Sequence, residues 1–190
     1  MRPFESNRFA GWSAYLSAAA TIIGFITLIL FFSEGQPFGT INDTASIFIG
    51  LAILPGFFAL YKLERASNPM LSLGALVVGS VAALIAAFLQ TLLVFKVISS
   101  EQSGEIVTIA FGVFGISLAV FNYLAYSNKS FSAQLAIWGL VAGAGYAIVT
   151  LGFLIGGQEH PLTYVGALAA IVGYPVWTIW FGKLLLSRKL

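Results

Sequence analysis

Apolar residues run along this chain in six long, nearly unbroken stretches, and polar residues collect in the short turns between them. The stretches fall at about 10–32, 44–61, 70–95, 106–126, 133–155 and 162–182, and none contains Asp, Glu, Lys, Arg or His. Each is close to the roughly 20 apolar residues that a helix needs to cross a hydrocarbon core of about 30 Å. Only helices and closed barrels satisfy every backbone polar group in lipid, and runs this continuous lack the alternation of barrel strands. The pattern predicts an all-α, polytopic membrane protein: one domain over residues 1–190, with six transmembrane helices arranged as three antiparallel hairpins.

Within the stretches, small residues recur four apart. The series are Ala14 and Ala18; Ala52 and Gly56; Ala75, Gly79, Ala83 and Ala87; Gly115 and Ala119; Gly139, Gly143 and Ala147; and Gly166 and Ala170. This spacing puts them on one helix face, where missing bulk lets backbones approach closely enough for van der Waals packing to hold helices together in lipid. They are expected to pack within one bundle, or to leave one stripe over for another subunit. Pro55 and Pro175 fall inside the second and sixth stretches and are expected to kink them; Pro161 suits the first turn of the last helix.

A longer recurrence overlies this one. Ser6-Asn7, Ser67-Asn68 and Ser127-Asn128 lie 61 and then 60 residues apart, each read as opening the first helix of a hairpin. Three copies of one hairpin would give this spacing. So would three ordinary hairpins fitted to one bilayer thickness, each begun by a common N-cap residue.

Composition agrees with the pattern: 59% of residues are hydrophobic and 8% charged, with a mean hydropathy of +0.95. Soluble chains carry roughly a quarter charged residues. Charge also orients the zigzag. With the N-terminus cytoplasmic, Arg2, Arg8, Lys62, Arg65, Lys129, Lys183, Arg188 and Lys189 fall inside, whereas the outer segments hold Lys96 with the acids Glu34, Asp43, Glu101, Glu105 and Glu159. Basic residues favour the cytoplasmic side, so both termini are expected there, in a cell inner (plasma) membrane. Trp12, Trp138, Trp177 and Trp180 fall toward the same ends of their helices, at headgroup depth. The first stretch continues to Phe32, past any small-residue cleavage site, and is read as an uncleaved helix rather than a signal peptide.

The chemistry to be found is sparse. The chain has no cysteine and one histidine, His160, which sits in an outer turn beside Glu159. No ionisable residue interrupts a span, as a proton or cation pump would require. Glu34, Glu101, Glu159 and His160 are read as solvated turn residues rather than a metal site, and basic residues scattered over several turns point to lipid headgroups rather than nucleic acid. No catalytic pairing, cofactor motif or metal motif is present, so the expectation is a non-enzymatic protein without cofactor. Two amides, Gln90 and Asn122, lie within spans at different depths and should find separate partners. Those partners are expected on other helices; alternatively the amides meet Tyr146 or Tyr174 around a small molecule, walled by phenylalanines.

The segments NRFAGWSAYLSAAATIIGFI, FFALYKLERASNPMLSLGALVVG, NYLAYSNKSFSAQLAIWGLVAGAGYAIV and PVWTIWFGKLLL resemble a bacterial family of small six- to seven-helix integral membrane proteins, catalogued as a domain of unknown function. The resemblance lies in the Arg-x-Ala-Gly opening at Arg8, Ala10 and Gly11, the basic turns, the Gly-rich fifth stretch and the Trp-containing last one. It implies the fold and no activity. Functionally, the chain is expected to be an accessory or assembly subunit, with a membrane partner or a second copy of itself, or a binder of a small apolar ligand. The alternative is a transport component: the helix count and termini are similar to those of the substrate-binding subunits of energy-coupling vitamin transporters, and Ala14 and Ala18 look like the contact motif of their first helix.

Overall fold

The computed structural model describes residues 3–187, so Arg2, Arg188 and Lys189 lie outside the described residues. Its elements are α1 (Pro3–Glu34), α2 (Phe38–Ala52), α3 (Leu54–Glu64), α4 (Pro69–Val94), α5 (Ser100–Asn128), α6 (Ala133–Gly156) and α7 (Pro161–Ser187), with no strand among the described residues. Six helical segments are long and apolar enough to cross a membrane, α2 and α3 counting together as one. The second expected span is therefore two helices rather than one kinked helix. The chain turns at Ile53, and Pro55, which has no N–H to give the preceding turn, sits at the start of α3. Pro175, by contrast, lies inside an unbroken α7.

Local sequence sets most of the ends. Asn68 accepts the Leu71 N–H ahead of Pro69, Ser99 and Gln102 form a reciprocal capping box on α5, and Ser132 accepts the Leu135 N–H to start α6. This corrects the Ser-Asn reading. Only Asn68 caps a helix; Asn7 lies within α1, and Ser127 and Asn128 belong to the last turn of α5. The 61- and 60-residue intervals recur elsewhere, in the core. Ile53, Phe114 and Tyr174 are fully buried, as are Phe57, Leu118 and Thr178, and Leu60, Phe121 and Phe181. Each trio comes from the second helical arm of its hairpin.

The helices pack in chain order as a closed ring. α1 meets α2 and α3, these meet α4, α4 meets α5, α5 meets α6, α6 meets α7, and α7 returns to α1. The two sets of arms divide the work. α1, α4 and α6 present small residues inward, among them Ala14, Ala18, Gly79, Ala83, Gly139 and Gly143, all buried. α3, α5 and α7 fill the middle with Phe57, Phe114, Phe121, Tyr174, Trp177 and Phe181, each wholly buried. Ring centroids run 5.6 Å from Phe121 to Phe57, 5.5 Å to Phe114, 5.8 Å to Tyr174, 6.2 Å to Trp177 and 4.9 Å to Phe181. These spacings suit the edge-on and stacked geometries that aromatic pairs prefer.

α6 is the most tightly held arm. A Cβ on Gly143 would stand 2.5 Å from the Gly115 carbonyl oxygen, and one on Gly115 would stand 2.6 Å from that of Gly143, so α5 and α6 touch backbone to backbone. On the other flank, a Cβ on Gly145 would meet the Ala170 nitrogen at 2.5 Å and one on Gly166 the Val149 nitrogen at 2.5 Å. At the end holding the chain termini, a Cβ on Gly182 would lie 2.9 Å from the Gly11 carbonyl and 3.3 Å from Ala14 Cβ, which closes α7 onto α1.

The outside is as apolar as the inside. No more than half of any span's most apolar window is buried, and Phe9, Trp12, Phe88, Leu154 and Leu168 are among the large side chains left exposed. A soluble monomer rarely exposes more than a few hundred Å² of contiguous apolar surface. The bundle suits a lipid solvent.

Gly143→Leu should therefore destabilise the protein by on the order of 2 kcal/mol or more, since a branched side chain would drive two backbones apart. Leu140→Ala, on the partly exposed face of α6, should stay within about 1 kcal/mol. Thermal midpoints of the two purified variants in one detergent compare them directly, and equal midpoints would refute the backbone contact.

Candidate functional site

Two of the four residues expected to surround a ligand are occupied by the core. Asn122 is fully buried: its Oδ1 accepts from Trp177 Nε1 at 2.8 Å and its Nδ2 donates to the Leu118 carbonyl at 2.8 Å. Gly139 makes this possible, because a Cβ there would collide with the Asn122 amide. The Tyr174 hydroxyl shares a 2.8 Å hydrogen bond with Ser17, linking α7 to α1. Gln90 stands apart from both. It is 8% exposed on the inward face of α4, and its Oε1 is enclosed without a hydrogen-bond partner.

A second enclosed oxygen belongs to a residue that the apolar stretches did not point to. Glu64 ends α3 with no exposed surface; Asn128 Nδ2 donates to its Oε2 at 2.7 Å, and Oε1 has no partner. Ile53, Phe57, Leu60 and Glu64 lie on one face by helical spacing, so the carboxyl continues the core stripe. The signal was that periodicity. At the corresponding positions 61 and 121 residues on, Ala125 and Leu185 are buried and apolar.

Tyr146, the fourth expected residue, lines a cavity of about 200 Å³ between α5 and α7, on the α6 face that carries Tyr146 and Val149. Val107 and Phe111 contribute from α5, and Ala167 and Ile171 from α7. The Tyr146 ring stacks on Phe111 at 5.8 Å and 17°, and stands edge-on to Phe114 at 5.3 Å and to Tyr174 at 5.7 Å. The aromatic core thus forms one end of the cavity. Thr108 also lines it, but its hydroxyl already bonds to the Gly104 carbonyl at 2.7 Å.

A larger hollow, about 420 Å³, lies between α4 and α5 with Val77, Val81, Ile85, Ile106 and Ile109 around it. These five side chains are exposed, and nothing polar lines the hollow. It is lipid-facing surface with no means of choosing an occupant. Among the described residues no group of three or more His, Asp or Glu gathers at metal-binding range. His160 uses Nδ1 to accept the Leu162 N–H at 3.3 Å, in the turn before α7.

Comparison with known protein families, with curated proteins and with solved structures finds no match for this chain. The resemblance of Ala14 and Ala18 to a transporter contact motif meets a structural obstacle. At 1% and 2% exposure both face the interior of the bundle, leaving no free contact surface there.

The two amides should respond oppositely to Leu. Asn122→Leu strands the buried Trp177 N–H and should cost on the order of 1 kcal/mol or more, whereas Gln90→Leu removes an unpaired acceptor and should be neutral or stabilising. Thermal denaturation in detergent reads both signs, and a loss at Gln90 as large as that at Asn122 would contradict the assignment.

Proposed function

We propose that this chain is a non-enzymatic, multi-pass protein of a bacterial inner membrane, with both termini cytoplasmic, that binds a small apolar ligand in the cavity beside Tyr146. The carrying observation is that cavity: its lining residues come from three helices and are all buried or half-buried, and it lies against the aromatic core. A pocket of this kind, mostly apolar with few polar groups, is the usual form of a small-molecule site. The orientation is supported by the described basic residues Arg8, Lys62, Arg65, Lys129 and Lys183, which belong to the termini end, while Lys96 alone belongs to the other.

A transport role is the second reading. Its support is the same helix-lined cavity, and its weakness is the burial of Ala14 and Ala18. An assembly role draws less support, because the small-residue stripes are largely consumed inside the ring.

Native mass spectrometry of protein extracted gently from its own membrane should detect a bound small molecule, and Ala167→Phe should lose it. Filling a cavity leaves the fold intact or firmer, so the variant's thermal midpoint should not fall. A ligand retained by Ala167→Phe would overturn the reading. For orientation, cysteines at the exposed positions Gln36, Glu101 and Gln158 should be labelled by an impermeant reagent on intact cells, and cysteines at Ser67 and Ser187 should not. The reverse pattern would place the termini outside.

A further inference from the structure

Two residues that line the cavity each carry a polar group left unused by the chain's own bonding. The first is the Tyr146 hydroxyl, which makes no hydrogen bond among the described residues. Its neighbour Tyr174 differs in this respect, being bonded to Ser17. The second is the main-chain carbonyl of Ile171. In an α-helix the N–H four residues on closes that bond, and here the fourth residue is Pro175, which has none. The nearest hydroxyl on α7 does not substitute: Thr178 Oγ1 bonds instead to the carbonyls of Tyr174 at 2.8 Å and Pro175 at 3.2 Å.

These groups set the ligand's chemistry. Tyr146 offers a phenolic O–H, and Ile171 offers an acceptor. No Asp, Glu, Lys, Arg or His lines the cavity, so a charged ligand would be desolvated without a counter-charge. A hydroxyl is the smallest group that accepts one hydrogen bond and donates another. A cavity of about 200 Å³ has room for a single substituted ring, given that one of about 150 Å³ holds benzene.

We infer that the ligand is a small, neutral phenol or apolar alcohol, whose hydroxyl accepts from Tyr146 and donates to the Ile171 carbonyl. The inference rests on the proposed cavity reading and adds the polar half of its specificity. Stacked Phe111 and Tyr146 supply a flat wall for a ring; Val107, Val149 and Ala167 supply the rest of the apolar lining.

The test compares two probes of nearly one shape, para-fluorophenol and fluorobenzene, by fluorine NMR on the full chain in lipid nanodiscs, with empty nanodiscs subtracting partition into lipid. The parent protein should bind para-fluorophenol about tenfold more tightly, the worth of one to two net hydrogen bonds. Tyr146→Phe removes the phenolic donor, and Pro175→Ala returns an N–H to the Ile171 carbonyl without filling the cavity. Each should bring the ratio of affinities toward one while fluorobenzene binding holds. Equal binding of both probes by the parent, or an unchanged ratio in both variants, overturns the inference and leaves the cavity reading standing. If Ala167→Phe fails to displace either probe, the cavity reading itself falls. Should Tyr146→Phe lose fluorobenzene as well, through its contact with Phe111, the Pro175→Ala ratio decides alone.

Discussion

In lipid, no hydrophobic effect draws one apolar helix to another, so the ring stands or falls on how closely its backbones approach. The contact of Gly115 with Gly143 is the clearest case: each glycine sits against the other's carbonyl, with no room for a side chain between them. Gly145 and Gly166 repeat the arrangement against α7. With α6 pinched from both sides, α5 and α7 are held at a fixed separation across it. Everything the core does depends on that separation, because the rings of Phe114 and Tyr174 must span it to meet at 5.8 Å.

The division between small and aromatic arms follows from the same constraint. A ring of six helices has a wide middle, and lipid-exposed helices cannot close it with small residues alone. α1, α4 and α6 spend their inward faces on close approach, and α3, α5 and α7 spend theirs on filling. Asn122 belongs to this arrangement. Its amide takes the space Gly139 leaves empty and satisfies the one N–H that the buried Trp177 brings into the core.

Much of the framework was legible in the sequence because lipid imposes simple rules on it. Helix-length apolar runs and four-residue small stripes are first-order consequences of bilayer thickness and backbone packing. What escaped depends on direction around a helix. Ser127 and Asn128 look like a helix start in sequence, yet the helix ends after them and Ser132 caps the next. Glu64 stands in sequence between Lys62 and Arg65, but its helical phase, shared with Phe57 and Leu60, carries it into the core, while its sequence neighbours Leu63 and Arg65 are less enclosed. Of Gln90, Asn122, Tyr146 and Tyr174, only Tyr146 lines the cavity, and no periodicity distinguishes it from Tyr174.

Why a cavity opens where it does can be read from the core's own recurrence. Gly50, Phe111 and Ile171 occupy matching places at the 61- and 60-residue intervals. In the first hairpin the position is glycine, and α4 closes directly onto it, since a Cβ there would lie 2.8 Å from the Ala83 carbonyl. Phe111 and Ile171 keep their side chains and line the cavity instead. At this position α2 and α4 come together, whereas the backbones of α5 and α7 make no close contact with each other. Pro175 adds to that asymmetry, because the carbonyl it leaves without a helical partner belongs to Ile171, on the wall of the space that the missing contact creates.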